Sequence, residues 1–269
     1  MSRKGAPFLA LTLGDATGTI QAVVFDEPDW FAGQFEVGDR VRVTGEVTAR
    51  GGRSTLRVRS LRPAEATDAE VDLLPRSHRD PDEMFGFVLH LADEVAEPGL
   101  RATLAVMTGD EALADAWRTV PCTRSGHHAY LGGLIEHTVG VASLCQALCT
   151  WHPRVNSDVL VAAALLHDIG HTRAWAVGTA TVEQSDEGRM LGHLLIGLQM
   201  VDAAARSVGL VDEQRLPLLH AIGWHHGPPA GAGLGQASAE ALALWRANAM
   251  EAGVKARLEG ASVLDPDHS

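Results

Sequence analysis

The first sixty residues alternate apolar and polar positions in short runs separated by turn residues. Phe8–Leu13, Thr19–Phe25, Arg40–Val47 and Thr55–Leu61 are rich in Val, Thr and Leu, with breaks at Gly14-Asp15, Gly18, Gly38-Asp39 and Gly51-Gly52. The pattern predicts several short strands forming a small all-β barrel or sandwich. In RVRVTGEV, Arg40, Arg42 and Thr44 share one face and Val41 and Val43 the other, and in LRVRSLR the pair Arg57 and Arg59 alternates with Leu56, Val58 and Leu61. One face is apolar and the other carries arginine. Residues 63–81 are rich in Ala, Asp, Glu and Pro and read as a linker. At Asp80-Pro81-Asp82-Glu83 an N-cap residue, a proline at the first position and first-turn acids announce helical spacing. Predicted helices fall near 82–96, 99–107, 110–118, 131–151, 157–168, 189–208, 212–226 and 237–252. The organisation expected is multidomain: a β domain over 1–63, a linker over 64–80, an all-α helical bundle over 81–255 and a tail over 256–269, with no internal repeat.

Composition changes this picture only when divided. The chain has 269 residues, 46% hydrophobic and 21% charged, which excludes a disordered or low-complexity protein. A net charge of −12, taken alone, argues against a nucleic-acid or anionic-membrane partner. Residues 1–63, however, hold nine basic and seven acidic side chains, net +2, and the remainder is net −14. Arg40 to Arg62 contains seven arginines against Glu46, a local +6. An arginine-lined outer face, with Phe8, Phe25, Trp30, Phe31 and Phe35 as rings for stacking, suits single-stranded RNA or DNA. A solvated charged face over an aromatic core fits the same residues. Three cysteines with no CxxC exclude a disulfide framework and a zinc ribbon, which fits a reducing cytoplasm. The opening residues lack a long apolar region and no stretch reaches about 18 charge-free apolar residues, so no membrane association is expected.

The histidines carry the chemistry. Of 13, ten lie between His127 and His226. VLVAAALLHDIG ends an apolar helix with His167-Asp168, and an ionised Asp at such a place is costly unless a cation meets it. Imidazoles and a carboxylate from separate helices are how a helical bundle builds a metal site. A single core histidine is more often structural, but His127, His128, His137, His167, His193, His220, His225 and His226 all sit in apolar surroundings. His78, His90, His152, His268, Cys145 and Cys149 fall outside the pattern.

The ordered set His137, His167-Asp168, His193 and His225-His226 resembles the HD phosphohydrolase superfamily of all-helical, metal-dependent phosphoesterases. HHAYLGGLIEHT, HDIG, DEGRMLGH and HHG, with PFLALTLGDATGTIQAVVFD and VGDRVRVTGEV before them, are similar to YhaM-type 3′–5′ exoribonucleases, which join an N-terminal OB-fold to an HD domain. The resemblance implies two divalent ions, Mn²⁺ or Mg²⁺, that activate a water for attack on a phosphodiester. His137, His167 and Asp168 would hold the first, and Asp168, His193, His225 and His226 the second. Beside the catalytic Asp168, His127 and His128 are candidates to contact the scissile phosphate or donate to its leaving oxygen and Arg124 or Arg173 to clamp it, Arg40, Arg42, Arg57 and Arg59 on the outer strand face are candidates to hold the strand, and the relatives suggest a homo-oligomer. Three positions depart from the resemblance. Asn248 stands where the superfamily has an aspartate, bringing an oxygen without a charge, and Glu251 is a carboxylate three residues on. His171 replaces a common lysine. The loop Gly227–Gly235 has no charged residue. A strand preceding SRKGAPF is expected to be shortened. The readings open at this point are an exonuclease, a phosphohydrolase of nucleotides or small esters, and a nucleic-acid-binding protein with an impaired HD domain.

Overall fold

The computed structural model describes residues 7–50, 53–65 and 73–259. The chain divides into two compact units, Met1–Pro75 with Gly178–Thr181, and Arg76–Val177 with Val182–Ser269. In the first, β1 (Leu9–Asp15) and β2 (Gly18–Val24) form an antiparallel hairpin, α1 (Pro28–Ala32) is a single short turn, and β3 (Val41–Arg50) and β4 (Arg53–Pro63) pair antiparallel. β2 and β4 run parallel, giving the sheet order β1-β2-β4-β3 among the described residues. The expected shortened strand falls largely on residues 1–6 and the Gly51-Gly52 turn on 51–52, both outside the described residues.

Ala22, Val24, Val58 and Leu61 form the core of this sheet, with Leu9, Leu11, Leu13, Phe31, Phe35, Val41, Val43 and Leu56 packed on them. Val58 and Leu61 are three apart, which strict alternation forbids. The register shifts between Thr44 and Gly45, which pair with Ser60 and Val58, so Arg59 is the extra residue of a bulge. Gly45 is required there, because a Cβ would lie 2.3 Å from the Arg57 carbonyl oxygen.

The second unit contains α2 (Pro81–Glu94), α3 (Pro98–Gly109), α4 (Glu111–Thr119), α5 (Gly133–Trp151), α6 (Ser157–Leu166), α7 (His171–Ala174), a two-stranded sheet of β5 (Trp175–Val177) and β6 (Val182–Gln184), α8 (Asp186–Ser207), α9 (Asp212–Gly223), a 3₁₀ turn at Leu234–Gln236, and α10 (Ala239–Leu258). Asp80 caps α2 by accepting from the Asp82 and Glu83 amides, as its sequence announces. Every residue of α6 from Val159 to Leu166 is buried, so this helix is apolar all round and forms the centre of the core. The strand pair, α1 and α7 are too short for periodicity to reveal, and α10 runs six residues beyond its expected end. α8 is broken at Gly192 (φ 71°, ψ 158°). The linker residue Ser77 donates its backbone N–H to the Leu131 carbonyl at 2.8 Å. No helix among the described residues is long and apolar enough to cross a membrane.

Candidate metal centre

The buried helix α6 delivers His167 and Asp168 into the middle of the second unit, and turns from there. His171 N–H bonds the Asp168 carbonyl, and Ile169 N–H that of Leu166. Gly170 allows the turn to touch α8, since a Cβ would lie 1.9 Å from the His193 carbonyl oxygen. That contact brings His193 to Asp168. His137 comes from the second turn of α5, His225 and His226 from the turn after α9, and Asn248 from α10.

Asp168 is shared between two groups of donors. Its Oδ2 lies 3.6 Å from His137 Nε2 and 3.4 Å from His167 Nε2. Its Oδ1 lies 3.5 Å from His193 Nε2 and 3.1 Å from His225 Nε2, and His226 Nε2 is 2.9 Å from His193 Nε2. Asn248 Oδ1 stands 2.9 Å from His137 Nε2, aimed there because its Nδ2 donates to the His225 carbonyl at 3.0 Å. His167 and His225 donate Nδ1–H to the carbonyls of Ala164 and Ile222, so in each ring it is Nε2 that faces the carboxylate. Asp168 Oδ1 and His225 Nε2 are buried with no hydrogen-bond partner. Orphaned acceptors converging on one carboxylate fit a cation. Burial alone would raise the Asp168 carboxyl, but the His167 imidazole beside it holds it well below the usual range. Desolvation lowers His193 to about 4 against the opposing pull of Asp168, which favours the neutral, ligating form.

Two families match the chain: residues 134–259 match the HD domain, and residues 1–64 the OB-fold nucleic acid binding domain. The chain joins an OB-fold to an HD domain. It is 29% identical to the 3′-5′ exoribonuclease YhaM of Bacillus subtilis (strain 168), over 84% of this chain and 72% of that protein. It is 27% identical to YhaM of Halalkalibacterium halodurans, over 84% and 70%, and 27% identical to YhaM of Listeria monocytogenes serotype 4b, over 83% and 71%. No solved structure matches.

In the HD domain a cavity of about 750 Å³ opens on the cluster. His127 and Arg124 stand in its wall. Arg173 does not. It forms a bidentate pair with Glu187, Nε to Oε2 at 3.1 Å and an Nη to Oε1 at 2.8 Å, and does not line the cavity. His128 is also misplaced by the sequence reading. It is fully buried behind His137 and bonds Glu251 at 2.9 Å, so it reaches no phosphate in the cavity. Glu251 lies on the far side of the His137 ring from Asn248, bonded to Nδ1. The uncharged loop 227–235 is absent from the cavity wall.

Sequence reasoning missed Cys122, whose Sγ is 3.6 Å from Asp168 Oδ2, and the wall residues Trp175, Gln184 and Trp245. His171, noted only as a departure, stacks on His193 with centroids 4.0 Å apart. His220 serves structure, accepting from the Ser238 amide at 3.2 Å.

On the OB-fold, Arg42, Arg57 and Arg59 point away from the core. Arg57 lies over the Phe25 ring at 5.5 Å, and Phe25 pairs with Phe8 at 5.9 Å. Arg59 is ion-paired with Glu46. Arg40 precedes β3, and its carbonyl accepts from Ala64. Phe31 and Phe35 pack on the core and Trp30 is exposed, so the expected aromatic set is split between the two faces.

Proposed function

We propose that this protein is a metal-dependent 3′–5′ exonuclease acting on single-stranded RNA. The observation that carries the reading is the shared carboxylate: each oxygen of Asp168 faces its own set of imidazole nitrogens. The relatives named as 3′-5′ exoribonucleases and the two domain families support the same activity. His137, His167, Asp168 and Asn248 would hold one divalent ion, and Asp168, His193, His225 and His226 a second, with Mn²⁺ or Mg²⁺ as occupants. Such ions lower the pKa of water and neutralise phosphodiester charge. The chain's own contribution is to hold these donors in the cavity wall, where Arg124 and His127 also stand; Arg124 would meet a nonbridging phosphate oxygen and His127 the leaving oxygen. The outer face of the OB-fold, with Arg42, Arg57, Phe8 and Phe25, would hold the strand. Single-stranded DNA as a second substrate suits the same arginine-lined face, a cytoplasmic site of action fits the cysteine usage, and assembly into a homo-oligomer is what the resemblance implies.

The test is purified protein with Mn²⁺ and RNA labelled at either end. Release of single nucleotides from the 3′ end supports the reading. Hydrolysis of free nucleotides with intact RNA would select a small-ester phosphohydrolase, which a cavity of about 750 Å³ also accommodates. RNA binding without turnover would select the impaired-domain alternative that neutral Asn248 motivates.

A further inference from the structure

A metal-ligating histidine needs a partner on its other ring nitrogen to fix tautomer and orientation, and the partners here are not alike. His167 and His225 donate to backbone carbonyls at 2.8 and 2.7 Å. His137 instead donates Nδ1–H to a carboxylate, Glu251 Oε2, at 2.5 Å. Glu251 is itself held, because Oε1 accepts from His128 Nε2 at 2.9 Å. His128 is locked in turn: it is fully buried at φ 51°, its backbone N–H donates to Glu259 at 3.1 Å, and its Nδ1 lies 3.0 Å from the Tyr130 hydroxyl. Tyr130 donates to Glu136, which also accepts from Ser77 and Lys255. Gly140 leaves room for the arrangement, since a Cβ there would lie 2.9 Å from Glu251 Cγ.

Asn248 and Glu251 lie three residues apart on α10 and address opposite edges of one imidazole. Asn248 offers Nε2's neighbourhood a carbonyl dipole where a carboxylate would bring charge. On the other edge, a buried carboxylate bonded to Nδ1–H makes the ring a stronger donor and sets negative charge one ring away from the ion. We propose that Glu251 is a positioning residue that makes His137 an effective metal ligand and supplies, through the ring, the negative charge that Asn248 does not bring, with His128 holding Glu251 in place. This rests on the metal-centre reading above. A mere tie between α5 and α10 would work equally well with an uncharged amide, and that difference is measurable.

The experiment titrates Mn²⁺ into the metal-free full-length protein, reading free Mn²⁺ by electron paramagnetic resonance, alongside metal-free thermal melts. Glu251→Gln keeps size and an acceptor but loses the charge, and is expected to weaken one of two ions by about 10- to 100-fold with little change in the metal-free melt. Glu251→Asp, which keeps the charge, is expected to regain part of that loss. If Glu251→Gln melts early, adding Asn248→Asp to it decides: recovered affinity supports missing charge, and no recovery overturns it. Unchanged affinities in Glu251→Gln, or equal losses in the Gln and Asp variants, overturn the inference and leave the two-ion reading standing. A wild-type protein that binds no Mn²⁺ overturns both.

Discussion

In the HD domain four candidate ligands, His137, His167, His225 and Asn248, are held by hydrogen bonds within the domain, whereas Arg57 and Arg59 on the OB-fold sheet make exposed contacts to a ring and a carboxylate. His167 and His225 are pinned by backbone carbonyls, His137 by Glu251 and Asn248 by the His225 carbonyl, all around a carboxylate whose side chain is 5% exposed. On the sheet, Arg57 rests over Phe25 and Arg59 pairs with Glu46 in solvent. The difference matches what the proposed function asks of each region. Divalent ions demand donors placed within fractions of an ångström, while a single strand is recognised by charge and ring faces that tolerate many poses. Disturbing one region should therefore abolish chemistry, and disturbing the other should weaken binding by degrees.

The largest effect should come from Asp168→Ala, which removes the one group common to both donor sets. RNA hydrolysis is expected to fall by about 10³-fold or more, beyond the roughly 10²–10³ lost with a single charge-stabilising group. RNA affinity measured by anisotropy should stay near wild type; a matching loss of affinity would dissolve the contrast between the regions. Phe25→Ala and Arg57→Ala form the intermediate case. Each should raise the Kd for single-stranded RNA by roughly 5- to 150-fold, from the about 1–3 kcal/mol that one base stack contributes. Turnover at saturating RNA should hold, and a fall in kcat instead of affinity would place these residues in the chemistry. The smallest effect belongs to Arg173→Ala. Its partner Glu187 is on the surface with it, so stability should change by less than about 1 kcal/mol and hydrolysis not at all, whereas Arg124→Ala should slow it.

Much of this division is legible in the chain. Period-two runs and the arginine count announce the sheet, and histidines in apolar surroundings with the buried His167-Asp168 pair point to a metal centre, while the ordered set His137, His167-Asp168, His193, His225-His226 is picked out by the resemblance to HD phosphohydrolases. What escapes is set by distance along the chain. Glu251 and His137 are separated by 114 residues, and nothing local marks either as the other's partner. Arg173 looks available until α8 folds back and brings Glu187 to it. His128 sits beside His127 in sequence, yet its positive φ turns it inward while His127 faces the cavity. Cys122 and Trp175 carry no motif at all. The bulge at Arg59 appears in sequence only as Leu61 out of step with Val58, a signal that is readable once the Gly45 contact is known.

The central claim is that Asp168 is shared by two ions. The direct measurement equilibrates metal-free protein with excess Mn²⁺, records the melting temperature in that excess, and then desalts the protein and counts retained metal by elemental analysis. Two ions per chain and a rise of several degrees are predicted, since a ligand at about 100 times its Kd stabilises by about 2.7 kcal/mol, with Asp168→Ala retaining fewer than one. A wild-type chain that retains no metal and melts at the same temperature with and without Mn²⁺ would contradict it.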